Sequence, residues 1–178
     1  MSDKKRALVT GGSSGMGKET AIALAKQGYE VILLCRNSTR GELALQDVKR
    51  KSESKDVYLT VCDLGSLESI RCFAADFKSR YDSLQVLVNN AGVILPRRYE
   101  TSDDYELQFG VNHLGHFLLT NLLVDLLMKS APARVVVVSS GAHKAGKLHF
   151  EDIHLKKGYS AFKAYSQSKL ANVLFAYE

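Results

Sequence analysis

Tyr165 and Lys169 stand four residues apart near the end of a 178-residue chain. On a helix that spacing puts both side chains on one face. A tyrosine with an ordinary pKa of about 10 is a poor proton donor or acceptor at neutral pH. An ammonium group beside it stabilises the phenolate and brings that pKa toward the working range, as general acid–base chemistry requires. Ser140, after a run of valines, offers a hydroxyl that can hold a carbonyl oxygen while the tyrosine gives the proton.

A second constellation lies near the start, at Thr10-Gly11-Gly12-Ser13-Ser14-Gly15-Met16-Gly17. Gly11 permits a tight turn after a strand, Gly15 lets the backbone approach a pyrophosphate, and Gly17 lets the following helix pack close to the sheet. The helix N-terminus then offers free N–H groups and partial positive charge to phosphate, with the Ser13 and Ser14 hydroxyls and the Met16 backbone beside it. The next strand ends in Cys35-Arg36-Asn37, with no acid to hold the 2′-hydroxyl of NAD. The Arg36 guanidinium can pair with a 2′-phosphate, which favours NADP(H) over NAD(H). Arg40 is either a second phosphate partner or a surface charge. The carboxylate of Asp63, with the Leu64 amide, is placed to read the adenine amino edge, or else caps a helix. Asn90-Ala91-Gly92 supplies small residues that let the chain pass under a ribose and nicotinamide, while Asn89 and Asn90 are expected to bond backbone.

These residues need strands and helices to bring them together. Five apolar runs, at 7–9, 31–35, 57–61, 86–88 and 135–138, are nearly continuous in aliphatic residues and read as parallel strands buried on both faces. Between them lie helical patterns at 18–27, 42–51, 103–129 and 161–177. A fifth is the stripe Leu67, Ile70, Phe73, Ala74 and Phe77, which Ser66 can cap. The alternation predicts an α/β fold, a doubly wound parallel sheet of Rossmann type with strand order 3-2-1-4-5. Every run ends in polar or glycine residues, and the crevice at those ends is where ligands bind in such sheets.

With 46% hydrophobic and 24% charged residues, two prolines and no repeat, the chain reads as one globular domain over residues 1–178. The net charge of +5 does not indicate nucleic-acid binding, because no basic run is longer than three residues and no aromatics interleave with Lys49-Arg50-Lys51. The apolar stretch 111–128 is broken by Asn112, His113, His116, Asn121 and Asp125, so it reads as a buried helix and no membrane span is expected. Cys35, Cys62 and Cys72 are odd in number, fit no metal or redox spacing and suit a reducing, cytoplasmic setting. The five histidines have no convergent carboxylate or thiolate partners, and no metal site is expected. His116 reads as a packed helix histidine.

Taken together, Thr10–Gly17, Asp63, Asn89–Gly92, Asn112, Ser140 and Tyr165–Lys169 resemble the short-chain dehydrogenase/reductase family. The resemblance covers the whole chain. Cys35-Arg36-Asn37, Val111-Asn112-His113-Leu114-Gly115-His116-Phe117 and Ser168-Lys169-Leu170-Ala171-Asn172 resemble its retinol-dehydrogenase-like branch. Protochlorophyllide reductases and the oxidoreductase domain of WW-domain oxidoreductase are similar in the same stretches. The resemblance implies that Tyr165 is the general acid–base and that Lys169 lowers its pKa and binds the nicotinamide ribose. It implies that Ser140, rather than Ser139, orients the carbonyl. Asn112 would hold a water in a proton relay from Lys169 to solvent.

The implied activity is hydride transfer between NADP(H) and a lipophilic aldehyde, ketone or secondary alcohol. Two helices, 103–129 and 161–177, would pair in a homodimer, with Ala161, Ala164, Ser168 and Ala171 permitting close approach, although the same spacing also fits packing onto the chain's own sheet. The 25-residue interval from Ser140 to Tyr165 is similar to that branch. The family continues with two further strands and a loop over the substrate, so a truncated record of a longer protein is expected. The alternative is a nucleotide-binding regulatory or scaffolding protein that keeps the fold without turnover.

Overall fold

In the computed structural model, which describes residues 4–178, five strands form one parallel sheet in the order β3-β2-β1-β4-β5. They are β1 (Arg6–Thr10), β2 (Glu30–Cys35), β3 (Val57–Val61), β4 (Val86–Asn89) and β5 (Arg134–Val137). The helices between them are α1 (Gly15–Lys26), α2 (Ser38–Ser52), α3 (Leu67–Arg80), α4 (Leu107–Phe109), α5 (Gly115–Lys129) and α6 (Ala161–Tyr177). Register follows the apolar runs: Leu8 lies beside Ile32 and Leu87, and Val9 beside Leu33 and Val88. Because strand side chains alternate, Leu8, Ile32 and Leu87 face a core built with Ile70, Phe73 and Phe77 of α3 and Leu119 and Leu123 of α5. Ala7, Val9, Val31 and Leu33 face the opposite core, with Ile22 and Ala25 of α1 and Val48 of α2.

Local chemistry sets the helix starts. Asn37 Oδ1 accepts from the Arg40 amide at 2.8 Å, Ser66 Oγ from the Ser69 amide at 3.2 Å, and Ser160 Oγ from the Lys163 amide at 3.2 Å. α1 differs. Ser14 precedes it without a side-chain cap, and its first turn holds no acid.

Four expectations change. The runs at 57–61 and 135–138 are not buried on both faces. Among the described residues they are the outer strands of the sheet, and Tyr58, Val61, Val135 and Val136 are all exposed. The helix expected from residue 103 starts at Leu107, because 101–106 closes a turn in which the Thr101 amide bonds the Tyr105 carbonyl and Asp104 takes a φ of 62°. Glu106 caps the new start, its carboxylate accepting from the Gln108 and Phe109 amides. The continuation is also not uniformly α-helical: a π-helical turn, Gly110–Leu114, separates α4 from α5. Finally, Ala164, Ser168 and Ala171 are buried against the chain's own fold, so they do not form a face for a neighbour.

Residues Leu107–Lys129 together make a helix long and apolar enough to cross a membrane. Here its Leu119 and Leu123 lie fully inside the core. Cys35 and Cys62 are buried thiols, and Cys72 is exposed. Among the described residues no three His, Cys, Asp or Glu side chains converge as metal ligands.

Candidate active site

The carboxyl ends of β1, β2, β3 and β4 open onto a cleft of about 470 Å³, within the usual range for small-molecule sites. It is lined by Gly11, Ser13, Ser14, Met16 and Gly17 from the first loop and Arg36 from the second strand end. Asp63, Leu64, Asn90, Ala91 and Gly92 complete the predicted set. Gly15 is not among its lining residues. It opens α1 with a φ of +52° and has no neighbour near its missing Cβ, so the backbone there is accessible to a ligand. Gly17 is the opposite case. A Cβ there would lie 2.4 Å from Asn90 Nδ2 and 2.5 Å from the Gly11 carbonyl oxygen, so only glycine lets α1 start this close to β4.

The cleft floor is tied together by Thr10. Its Oγ1 accepts from the Asn90 amide at 2.8 Å and the Ala91 amide at 3.0 Å, and Asn90 Nδ2 donates to its carbonyl at 2.9 Å. Asn90 thus bonds backbone as expected. Asn89 does not: its Nδ2 donates to Thr120 Oγ1 at 2.9 Å, because its side chain points toward α5. Asp63 takes a local role as well, with Oδ1 accepting from the Gly65 amide at 2.8 Å, while Ser66 caps α3. At the other end of the cleft Arg36 and Arg40 are both exposed, and neither pairs with a carboxylate among the described residues. Asn37, Cys35 and Cys62 also line this end. Burial pushes both thiols up in pKa, so they are poor nucleophiles there.

Gly92 joins the cleft to the predicted catalytic residues. Its missing Cβ position lies 3.4 Å from Asn112 Oδ1 and 3.5 Å from Lys169 Nζ. Lys169 is 3% exposed, and its ammonium donates to the Val138 carbonyl at 3.2 Å. The same ammonium lies 5.7 Å from the centre of the Tyr165 ring. Burial pulls the Lys169 pKa below the usual lysine range. The two serines now separate. Ser139 Oγ donates its proton to the Lys169 carbonyl at 2.7 Å and so serves α6. Ser140 Oγ only accepts, from the Ala142 amide at 3.3 Å, which leaves its proton for a ligand oxygen.

Asn112 is fully buried. Its Oδ1 accepts from the Val93 amide at 2.8 Å, and its Nδ2 donates to the Val93 carbonyl and to Ser168 Oγ, both at 3.0 Å. It therefore fastens the chain after β4 to α6.

His116 is more than a packed helix residue. Its Nδ1 lies 3.0 Å from the Asn112 carbonyl oxygen and its Nε2 2.8 Å from Thr10 Oγ1. The carbonyl can only accept, so Nδ1 carries the proton and Nε2 accepts from threonine. Burial pushes this imidazole down to about 4, so it stays neutral. The Thr10–His116 pair and Asn172 are functional neighbours that spacing alone did not reveal. Thr10 and His116 are polar residues in largely apolar elements, and that is the signal that could have found them; Asn172 stands among other polar residues of α6 and carries no such mark.

The profile described as short chain dehydrogenase matches residues 5–177. The chain belongs to the short-chain dehydrogenase family. Among curated members it is 47% identical to retinol dehydrogenase 11 of Mus musculus over 98% of this chain and 55% of the mouse protein. It is 46% identical to retinol dehydrogenase 13 of Homo sapiens, over 98% of this chain and 53% of that one. The chain thus spans about half the length of the curated relatives it matches. Among solved structures, an uncharacterised protein from Mycobacterium paratuberculosis superposes with a TM-score of 0.81 at 40% identity, covering 96% of this chain and 59% of its own. A short-chain dehydrogenase from Shigella flexneri, solved in complex with NADP, has a TM-score of 0.73 at 26% identity, covering 94% and 66%.

Proposed function

We propose that the protein carrying this chain transfers a hydride between NADP(H) and a lipophilic carbonyl compound or its alcohol. The observation that carries the reading is the continuity at Gly92. One side is a cleft with an open helix N-terminus, and the other is Lys169, whose ammonium lies 5.7 Å from the centre of the Tyr165 ring, with Ser140 three residues past the end of β5. The residues present suit a dinucleotide. The α1 N-terminus and Ser13 and Ser14 suit a pyrophosphate, Asp63 and Leu64 an adenine, and Arg36 and Arg40 a 2′-phosphate. Relatives named retinol dehydrogenases support a lipophilic substrate.

In the direction of reduction, Tyr165 gives its phenolic proton to the carbonyl oxygen. Ser140 donates a hydrogen bond to that same oxygen and fixes the lie of the C=O group. Lys169 stands beside the phenol as a cation and stabilises the phenolate left behind. Its depressed pKa eases the return of a proton to that phenolate. Held in the cleft, NADPH would supply the hydride for the carbonyl carbon, so that one hydride and the Tyr165 proton together would make the alcohol. Asn112 holds Val93 and Ser168 and thereby keeps the two walls of the site at fixed separation.

The test is Tyr165→Phe in the full-length protein. We expect kcat for carbonyl reduction to fall by about 100-fold or more, with NADPH affinity within about threefold, because the phenol acts on the bond being made. Near-normal turnover in that variant would mean that another group carries the proton.

A further inference from the structure

The geometry points to Asn172 as a positioning residue for Lys169, the last link of a hydrogen-bonded strut that reaches from the cofactor loop to the catalytic ammonium. This rests on the dehydrogenase reading above. The Lys169 ammonium is nearly buried, and the Val138 carbonyl is its one protein acceptor among the described residues, at 3.2 Å. Val138 lies just beyond β5, where the sheet still holds its amide, through the Asn89 carbonyl at 2.9 Å. The other donor on its carbonyl is Asn172 Nδ2, also at 3.2 Å.

Asn172 is 1% exposed and stands three residues beyond Lys169 on α6. The same Nδ2 donates to the Asn112 carbonyl at 3.0 Å. That carbonyl lies inside the π-helical turn, where the ordinary α-helical partner is displaced and side-chain donors can take its place. Its second partner is His116 Nδ1, and His116 Nε2 in turn bonds Thr10 under the glycine loop. The amide's orientation is fixed from behind, because Asn172 Oδ1 lies 3.2 Å from His113 Nδ1. Nδ2 faces two carbonyl oxygens and Oδ1 faces a ring nitrogen, so neither aspartate nor an apolar isostere can make both donations. The path is Thr10, His116, the Asn112 carbonyl, Asn172, the Val138 carbonyl and Lys169. From Thr10 to Asn172 each link is a buried polar group bonded to its neighbours, and leaving such a group without its partner is costly.

The ammonium is held by one carbonyl, and that carbonyl is aimed by one amide. Without the amide, Lys169 keeps its charge but loses its fixed place beside Tyr165. The loss falls on proton transfer rather than on the binding of substrate or cofactor.

The experiment compares Asn172→Leu, and Asn172→Ala should the leucine variant fold poorly, with wild type in the full-length protein. Two quantities are read: steady-state carbonyl reduction, and the rate at which acetic anhydride modifies Lys169, by peptide mass spectrometry normalised to exposed Lys147. The comparator is Ser130→Ala. It removes a buried hydroxyl that accepts from the Leu84 amide and donates to the Leu126 carbonyl at the far end of α5. We expect Lys169 labelling to rise about threefold or more and kcat to fall about tenfold or more in the Asn172 variants, with carbonyl KM and NADPH affinity within about threefold. Ser130→Ala should lower the melting temperature and leave Lys169 labelling alone. Unchanged labelling in both Asn172 variants, or an equal change in Ser130→Ala, overturns the assignment. If the wild-type protein binds NADPH and reduces no carbonyl, the enzyme reading fails, and labelling alone decides the role of Asn172.

Discussion

Replacing Arg36 with alanine should erase most of a preference for NADPH over NADH. Arg36 follows β2 directly, is exposed at the rim of the cleft, and has no carboxylate partner among the described residues. A hydrogen bond to a charged group contributes about 1.5–3 kcal/mol where water is excluded. At an exposed guanidinium solvent screening holds it to the low end, about 1.4 kcal/mol or tenfold in affinity. The first turn of α2 begins two residues later and carries no acid, so its dipole favours a phosphate by a further amount of about 0.3–1 kcal/mol. NADPH should therefore bind at least about tenfold tighter than NADH. Arg36→Ala should weaken NADPH by about tenfold and move NADH by less than about twofold, and adding Arg40→Ala should bring the two cofactors together. Because these charges meet water, raising the salt concentration should shrink the preference. Fluorescence titration of both cofactors reads all of this. Equal affinities in the wild type, or an unchanged ratio in Arg36→Ala, would refute the 2′-phosphate assignment.

Gly17→Ala should destabilise the fold by roughly 2 kcal/mol or more and abolish NADPH binding, because the added carbon meets the Gly11 carbonyl at 2.5 Å and backbone must move. A melting curve within a degree or so of wild type would contradict that. His116 gives an acid-side prediction. Between pH 4 and the ordinary imidazole value the unfolded chain binds a proton that the folded chain refuses, so stability falls as pH drops. The full loss is roughly 3 kcal/mol, and His116→Gln should flatten the fall in urea midpoints across that window; an identical slope in the variant would count against a neutral buried imidazole. The full-length protein should also be a homodimer, with exposed Phe117, Val124 and Met128 of α5 and Leu174 of α6 in its interface. Light scattering that returns a monomer mass at micromolar concentration removes that expectation.

Much of the fold was readable because parallel strands announce themselves. Runs such as Val31 to Cys35 are apolar without alternation, and turn residues follow each one. The edges were harder. Val135 and Val136 look like core in sequence and are exposed here, on the outer strand of a chain that spans about half the length of its curated relatives. The glycine loop, Arg36 and the Asn90-Ala91-Gly92 stretch fell on the cleft because each follows a strand directly, and strand ends share one edge of the sheet. That Ser139 turns toward the Lys169 carbonyl while the Ser140 proton stays unengaged is visible only in three dimensions. The bonds that join Thr10, His116 and Asn172 did not show, although all three residues stand in the motifs quoted from the sequence: Thr10 and His116 meet side chain to side chain 106 residues apart, and His116 and Asn172 both reach the Asn112 carbonyl. Backbone partners leave no trace in side-chain spacing.

The π-helical turn has a consequence for how this segment tolerates change in length. Such a turn is what remains when one extra residue is accommodated in an α-helix. Here it divides two faces with different obligations. Before it, Gln108 donates to Tyr159 and to the Ala161 carbonyl at the start of α6. After it, Leu119 and Leu123 fill the sheet core. An uninterrupted α-helix would rotate one set by roughly 100° relative to the other, so deleting any one residue of 110–114 keeps either the loop anchor or the core, never both. Point substitutions across this stretch only change side chains, but an indel changes phase. Away from Asn112, Gly115 and His116, the segment from 107 to 129 should thus tolerate changes of side chain more readily than a change of residue count.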